Sequence, residues 1–537
     1  MTAASTATYP GVLVAKDVAI GVRDGIELAA DVFRPDDDRP VPVIMTLGPY
    51  AKDVHFRDHP GGATVYESMP EQGPLMHWET VNPEWWVPQG YGVVRVDARG
   101  TGHSPGRRTM LSRGEAQDFH DCIEWAAAQP WCTGRVAVMG ISYYAINAWR
   151  VAALRPPSLA AIVPWEGAVD SYRDIQRHGG MFSSGFIGRW STNLAREQGD
   201  AASQVALPPE EYGPPYDTSN PDLAAIEAPL LSAGNWGGAG LHLRGNIEGF
   251  RHAGSVHRRL RVHCGNHMEP FYALDGRLEQ LRFLEHWLKD IDTGITREPP
   301  VKLAIRRSRD DHVWRYEHEW PLARTSWTQL FLDANGGGSD GGSLEWDPPA
   351  DEGTVRYEAL AEETGFESLV RFTSAPFESE TELTGPLALH LWVSASKPDA
   401  DLFVVVRNVG PDGEEVTYQG AIPTAHHVAA AYGWLRLSHR ALDEDASTPW
   451  QPVHTHVDLA PVTPGEPVAV DVEIWPTSVV LGPGHRLAVE IRAHDDPGIF
   501  PFHHTHPGDR RWGGAMAVHT GPGHESYLVV PVIPAAG

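Results

Sequence analysis

Apolar and polar positions follow two different patterns along the chain, and the change falls near residue 296. Before it, short runs that are apolar at nearly every position alternate with stretches of helical spacing. "VPVIMTLGPY" (Val41–Tyr50), "YGVVRVD" (Tyr91–Asp97), "RVAVMG" (Arg135–Gly140), "AAIVPW" (Ala160–Trp165), "APLLSAG" (Ala228–Gly234) and "RLRVHCG" (Arg259–Gly265) read as strands. Strands apolar on both faces belong to a parallel sheet covered by helices on each side. The covering helices are predicted over Glu115–Gln129, Tyr144–Leu154 and Leu278–Asp290. In the first, Phe119, Cys122, Ile123, Trp125 and Ala126 recur at helical spacing. Ahead of the sheet, "GVLVAKDVAIGVRDGIELAADVFRP" predicts two strands joined at Asp24-Gly25.

The alternation breaks between Gly167 and Glu227, where helix-like segments and a Pro-rich stretch stand between two strands. Such an insertion is expected as a helical cap over the sheet edge, where caps shape substrate pockets. After about Thr296 short strands dominate, among them "LALHLWVSA", "DLFVVVRNV" and "VAVDVEIWP", separated by Gly, Pro and Asp turns. Many strands without helices or a fixed repeat predict a jelly-roll β-sandwich. The fold class read from the pattern is therefore α/β. An α/β-hydrolase domain is expected over 1–166 and 227–296, a helical cap over 167–226 and a C-terminal all-β jelly roll over 297–537.

A length of 537 residues fits this division, being too long for one ordinary core. The formal net charge of −27 argues against nucleic acid or an anionic membrane as partner. Three cysteines, Cys122, Cys132 and Cys264, are too few for a disulfide framework and are expected as reduced thiols in a cytoplasmic protein. The N-terminal stretch lacks a signal-peptide pattern, and no apolar run approaches the ~18 residues of a membrane span.

The candidate chemistry sits at "MGISYYAINAW". Ser142 follows a strand and opens a helix, the placement of a nucleophile on a tight elbow. The pattern is a G-x-S-x-G motif with its last glycine absent, since Tyr144 stands there and Ala145 supplies a small residue one step on. A serine hydroxyl needs a base. "RVHCGNHMEPFY" offers His263, inside the strand pattern and read as packed, and His267, on the loop beyond. The usual place for an orienting acid, "SAGNWGGAGLHLRG", holds no carboxylate. Glu166, at the end of the preceding strand, is the first choice because strand ends are held rigidly. Asp170 is the alternative acid and Glu269 the third. The backbone N–H of Tyr143 and the hydroxyl of Tyr50 are expected to form an oxyanion hole.

Taken together, "DGIELAADVFRP", "LGPYAKD", "VRVDARGTGHSPG", "IEWAAAQPWCTGRVAVMGISYYAINAW", "LAAIVPWEGAVDSYRD", "GNWGGAGLHLRG" and "SYLVVPVIP" resemble the CocE/NonD acyl-esterase family. That family includes cocaine esterase, X-prolyl dipeptidyl-peptidases and α-amino-acid ester hydrolases. The resemblance implies an α/β-hydrolase domain, a helical cap and a jelly roll. It matches Ser142 to the nucleophile, Tyr143 and Tyr50 to the oxyanion hole, and His267 to the base. The chain departs from the family at Ala145, where a helix glycine is usual, and at Gly237-Gly238 after Trp236, where the family's acid is missing.

The expected activity is a serine hydrolase cleaving an ester or amide through an acyl-enzyme, acting on a small molecule with no cofactor. X-prolyl or aminoacyl peptidase activity, with Asp170, Asp174 or Glu197 as amine receptor, and acyl transfer are alternatives on the same residues. So is a non-catalytic, hydrolase-like binding protein. Oligomeric state stays open, with a homo-oligomer allowed. His503, His504 and His506 are read as loop histidines and not a metal site. Asp399 and Asp401 are read as turn residues, and "DARGTGHSPG" as a tight sheet-edge turn because it lacks the ending of a phosphate loop.

Overall fold

The computed structural model describes residues 5–197, 207–217, 219–337, 341–359, 368–422 and 427–534. Its first strands are β1 (Ser5–Tyr9), β2 (Val12–Gly21), β3 (Glu27–Pro35), β4 (Val41–Gly48), β5 (Gly92–Asp97), β6 (Cys132–Ile141) and β7 (Leu159–Trp165). After the inserted segment come β10 (Leu230–Asn235), β11 (Arg258–His263) and β12 (Val301–Arg306), with the small hairpin β8 (Arg177–His178) and β9 (Met181–Phe182) inside the insertion. Strands β5, β4, β6, β7, β10, β11 and β12 lie side by side in that order, all parallel. Antiparallel β3 and β2 extend the sheet beyond β5, as the Asp24-Gly25 turn predicts.

The unbroken apolar runs are explained by two cores, one on each face. Val43, Met45, Val136 and Val138 point into one, with Phe119, Ile123 and Trp149 from the covering helices. Their neighbours Ile44, Ala137 and Met139 point into the other, against Phe283, Leu284 and Leu288. The helix Arg113–Ala127 starts where Ser112 accepts a hydrogen bond from the Glu115 N–H, a side-chain cap on an otherwise orphan donor.

The inserted segment is more varied than a set of helices. It holds a π-helical turn at Ser171–Gln176, the β8–β9 hairpin and the helix Ser184–Glu197. Strand β12, expected as the first of the C-terminal region, pairs in parallel with β11 and touches the strand Val468–Leu481 at Arg306↔Val479. The chain thus passes from one sheet system to the other through a shared strand. From Ser326 onward the strands pair almost entirely antiparallel around their own core of Leu389, Leu391, Val404, Val472 and Ile491. The Gly-rich stretch "ANGGGSDGGS" (Ala334–Ser343) reads as a surface loop from its glycines; residues 338–340 lie outside the described residues, and Gly341–Glu345 is a strand.

One expectation is corrected. Asp401 is not a turn residue. It opens the strand Asp401–Val409, is buried, and pairs with Arg436 at 2.7 Å and Arg510 at 2.8 Å. Asp399 is buried as well and accepts the Ser438 N–H at 2.9 Å. His504 lies on a loop as expected but is fully buried, bonded to Asp495 at 2.9 Å and His178 at 2.9 Å. No helix among the described residues is long and apolar enough to cross a membrane.

Candidate active site

Ser142 stands between β6 and the helix Tyr143–Ala152 with φ 56° and ψ −113°. A left-handed φ on a non-glycine residue is uncommon and marks a strained elbow. The elbow is tight enough to dictate its neighbours. A Cβ on Gly140 would lie 2.6 Å from Tyr144 Cβ, which explains the glycine that opens the motif. The missing second glycine is compensated across the turn. A Cβ on Gly167 would meet Ala145 Cβ at 2.9 Å, so Gly167 makes the room that Ala145 takes.

Glu166 follows β7 directly and is fully buried. Its backbone N–H donates to Ala233 O at 2.7 Å, and φ 50° turns the chain so that the carboxyl meets the loop after β11. There His267 Nδ1–H donates to Glu166 Oε2 at 2.8 Å. Asn235, at the end of β10, donates to Glu166 Oε1 at 3.3 Å. His263 Nε2 lies 3.2 Å from the same oxygen but is not aligned for a hydrogen bond, and its ring stacks on Trp165. Burial alone would raise the Glu166 pKa; the charge of His267 and the neighbouring donors overcome it and hold it at about 2. Burial opposes the imidazolium of His267, yet Glu166 and then Glu79 outweigh that and push it up to about 10.

The other acids from the sequence are committed elsewhere. Asp170 caps the turn at Tyr172 and Arg173 and pairs with Arg173 at 2.7 Å, so it is not the partner of His267. Glu269 accepts from Asn266 at 3.0 Å on the exposed side of the loop.

The oxyanion candidates converge on the nucleophile. Tyr143 is the first helical residue, whose N–H has no intrahelical acceptor. Its hydroxyl is occupied in anchoring the helix, donating to Glu115 at 2.8 Å and accepting the Leu111 N–H at 3.1 Å. Tyr50 accepts from Trp190 Nε1 at 3.1 Å. The Tyr50 loop is set by Asp97, which takes the Lys52 N–H at 2.7 Å and the His103 N–H at 2.9 Å. The glycine-rich stretch therefore braces that loop.

Tyr50, Trp78, Glu79, Ser142, Trp190 and His267 line one cavity of about 350 Å³. The inserted segment adds Phe186, and loops of the C-terminal region add Ile422 and Phe502. The C-terminal region also reaches the histidine itself, since His267 N–H donates to Ala421 O at 2.7 Å. His242 stacks on His267 with centroids 5.0 Å apart and an interplanar angle of 5°. Burial lowers its pKa to about 3, and its Nδ1–H donates to Gly167 O at 3.2 Å, so it stacks as a neutral ring.

Four of these residues carried no sequence signal. Trp190, His242 and Phe502 reach the cavity by tertiary packing alone. Glu79 lies in a stretch without periodicity, and its carboxyl stands 3.3 Å from His267 Nε2.

A family model described as X-Pro dipeptidyl-peptidase (S15 family) matches residues 24–212. A second, the X-Pro dipeptidyl-peptidase C-terminal non-catalytic domain, matches residues 293–529. Cocaine esterase from a Rhodococcus species is 24% identical over 97% of this chain and 98% of its own. The crystal structure of a CocE/NonD family hydrolase from Staphylococcus aureus superposes with a TM-score of 0.89 at 29% identity, covering 97% of this chain and 94% of that one. An α-amino-acid ester hydrolase shares the fold with a TM-score of 0.72 at 18% identity, covering 97% of each chain. A hydrolase domain followed by a non-catalytic C-terminal domain, with a serine at a strand-helix elbow, makes this chain a member of the CocE/NonD family and a serine hydrolase of ester or amide bonds.

Proposed function

We propose that the protein cleaves esters of small, uncharged acyl groups through a covalent acyl-enzyme, with Ser142, His267 and Glu166 as the triad. Ser142 Oγ attacks the carbonyl and His267 takes its proton. Glu166 holds the imidazole by Nδ1 and stabilises its charged form. The Tyr143 N–H and the Tyr50 hydroxyl receive the developing oxyanion. The observation that carries this reading is the 2.8 Å bond from His267 Nδ1 to a buried carboxylate, with His267 and Ser142 on one cavity.

Esters are favoured over X-prolyl peptides because the acids considered as amine receptors are neutralised. Asp170 pairs with Arg173 at 2.7 Å and Asp174 with Arg244 at 3.0 Å, while the Glu197 side chain lies outside the described residues. We further infer that residues 297 to 537 form a jelly roll, supported by the largely antiparallel pairing of the strands from Ser326 onward around a single core. Residues 167–226 then act as the cap, and 1–166 with 227–296 as the α/β-hydrolase domain. Three buried, unbridged thiols support a reducing, cytoplasmic setting.

The test is labelling by a fluorophosphonate probe together with hydrolysis of p-nitrophenyl butyrate. Wild type should label at Ser142 and turn over. Ser142→Ala should do neither while melting at the same temperature. Retained turnover in that variant, or an unlabelled wild type, overturns the reading.

A further inference from the structure

The chain between the Tyr50 loop and β5 folds across the carboxyl edge of the sheet and brings Glu79 to the nucleophile. Its backbone is tied to the strand that carries Ser142. Ile141 N–H donates to Glu79 O at 3.0 Å, and Thr80 pairs with Gly140. Glu79 itself adopts φ 59°, a conformation that costs energy in a residue with a Cβ. The residue is only 3% exposed. Oε1 lies 3.3 Å from His267 Nε2, and Oε2 has no hydrogen-bond partner among the described residues. A buried, half-satisfied carboxyl on a strained backbone destabilises a protein and calls for a functional explanation.

The imidazole of His267 is thus flanked by carboxyls at both nitrogens. Glu166 holds Nδ1 from below the sheet edge, away from the cavity. Glu79 meets Nε2, the nitrogen that takes the Ser142 proton in the reading above, and it lines the cavity beside Ser142. Burial raises the Glu79 pKa, so it retains a proton more readily than an ordinary glutamate.

We propose that Glu79 is a second catalytic proton-transfer group, and that His267 serves the Ser142 oxygen while Glu79 serves the leaving group and the incoming water. The proposal rests on the Ser142–His267 reading above. Acylation starts from the form in which the proton of the Glu79–His267 contact sits on Glu79 and Nε2 is bare. From there the Ser142 O–H bond breaks, its proton passes to His267 Nε2, and Oγ bonds to the acyl carbon. The bond from that carbon to the alcohol oxygen breaks, and the oxygen leaves with the proton of the Glu79 carboxyl. Glu79 is then a carboxylate beside an imidazolium, an ion pair at the observed 3.3 Å contact. In deacylation Glu79 takes a proton from water as the water oxygen bonds to the acyl carbon. Ser142 Oγ departs with the proton from His267. Ester and water become acid and alcohol, and both residues return to their starting protonation.

Two butyrate esters test the assignment. A p-nitrophenolate leaves without needing a proton, whereas an ethoxide does not, and kcat/KM reports acylation for both. In Glu79→Gln, kcat/KM for ethyl butyrate should fall ~10²-fold or more, and for p-nitrophenyl butyrate less than ~3-fold. Fluorophosphonate labelling of Ser142 should continue, since fluoride also leaves unprotonated. If both esters fall by the same factor, or neither falls, the proposal is overturned. If Glu79→Gln does not label because it fails to fold, the comparison passes to Glu79→Asp, which should separate the two esters in the same direction by ~10-fold. Equal effects there overturn the proposal as well. An unlabelled wild type would instead sink the underlying serine mechanism, so the two failures are distinguishable.

Discussion

Glu166 Oε2 accepts from His267 Nδ1 at 2.8 Å across 101 residues of sequence, from the end of β7 to the loop beyond β11. In the proposed triad, Glu166 from the neighbouring strand takes the part of the carboxylate that the family carries after the Gly-Trp position. Asn235, at the end of β10, donates to Glu166 at 3.3 Å. Removing the charge while keeping the shape isolates this relationship. Glu166→Gln should lower kcat by up to ~10⁴ while the unfolding midpoint changes little. Asp170→Asn should leave kcat on p-nitrophenyl butyrate within ~3-fold of wild type, because Asp170 serves Arg173 and not His267. The reverse ranking of the two variants would return the role to Asp170.

The pH dependence follows from the shared proton at the other nitrogen. His267 has a pKa of about 10, because Glu166 and Glu79 outweigh the effect of burial. A raised pKa means that the Glu79–His267 pair holds one proton between Oε1 and Nε2 below that pH and loses it above, and the reactive form is the one with that proton on Glu79. Wild-type kcat/KM on ethyl butyrate should therefore decline above about pH 10, as the Glu79–His267 pair loses the proton Glu79 delivers. Glu79→Gln delivers none and leaves His267 facing one carboxylate fewer, so its own pKa drops. Its residual kcat/KM should rise with pH to a plateau. The stacked His242 stays neutral over this range, with a pKa of about 3. An alkaline decline that persists unchanged in Glu79→Gln would count against the shared proton.

Tyr50→Phe removes one oxyanion donor and leaves the ring packing on Tyr143 and Tyr144, at 6.1 Å and 5.9 Å between centroids. The expected loss is ~10²- to 10³-fold in kcat with KM nearly unchanged. Steady-state kinetics decide between this and a role in substrate binding, which would move KM instead.

Gly140→Ala probes the elbow. The new Cβ would lie 2.6 Å from Tyr144 Cβ and 3.2 Å from Glu79 O, so both the helix and the Glu79 segment must shift. Overpacking of this kind costs about 1–3 kcal/mol, measurable by denaturant titration, and labelling of Ser142 should slow with it.

Arg436→Ala tests the clasp between the inserted segment and the C-terminal strands. Arg436 is fully buried among Asp401 at 2.7 Å, Asp509 at 3.1 Å and Glu210 at 2.9 Å. Removing it leaves two buried carboxylates short of their partner, and the loss should reach about 3–5 kcal/mol in equilibrium unfolding.

The parallel sheet was legible because each strand carries its own evidence, an apolar run bounded by turns. Ser142 was legible because the strand-to-helix step is local. The choice of Glu166 over Asp170 rested on a strand end being rigid, and the geometry at His267 agrees with it. Glu79 was beyond reach for a physical reason. The chain from Phe56 to Ser68 is made of short 3₁₀ turns with no periodic face, and Glu79 is held in place by a hydrogen bond from Ile141. Asp401 was misread for a related reason. An aspartate beside a predicted turn looks solvated, and only the fold supplies Arg436, which is 35 residues away.

The bond from His267 N–H to Ala421 O has a consequence for how this protein can be cut or recombined. Ala421 is itself held by the Gly237 carbonyl at 3.0 Å, so one short loop of the C-terminal region splints both the base and the loop after β10. The family's "non-catalytic" domain is then, in this chain, a wall and a tether of the reaction chamber. A hydrolase half expressed alone would keep its serine elbow and lose the fixed position of its histidine. A chimera that exchanges C-terminal halves between relatives would have to carry the segment around Ala421 with the hydrolase it serves.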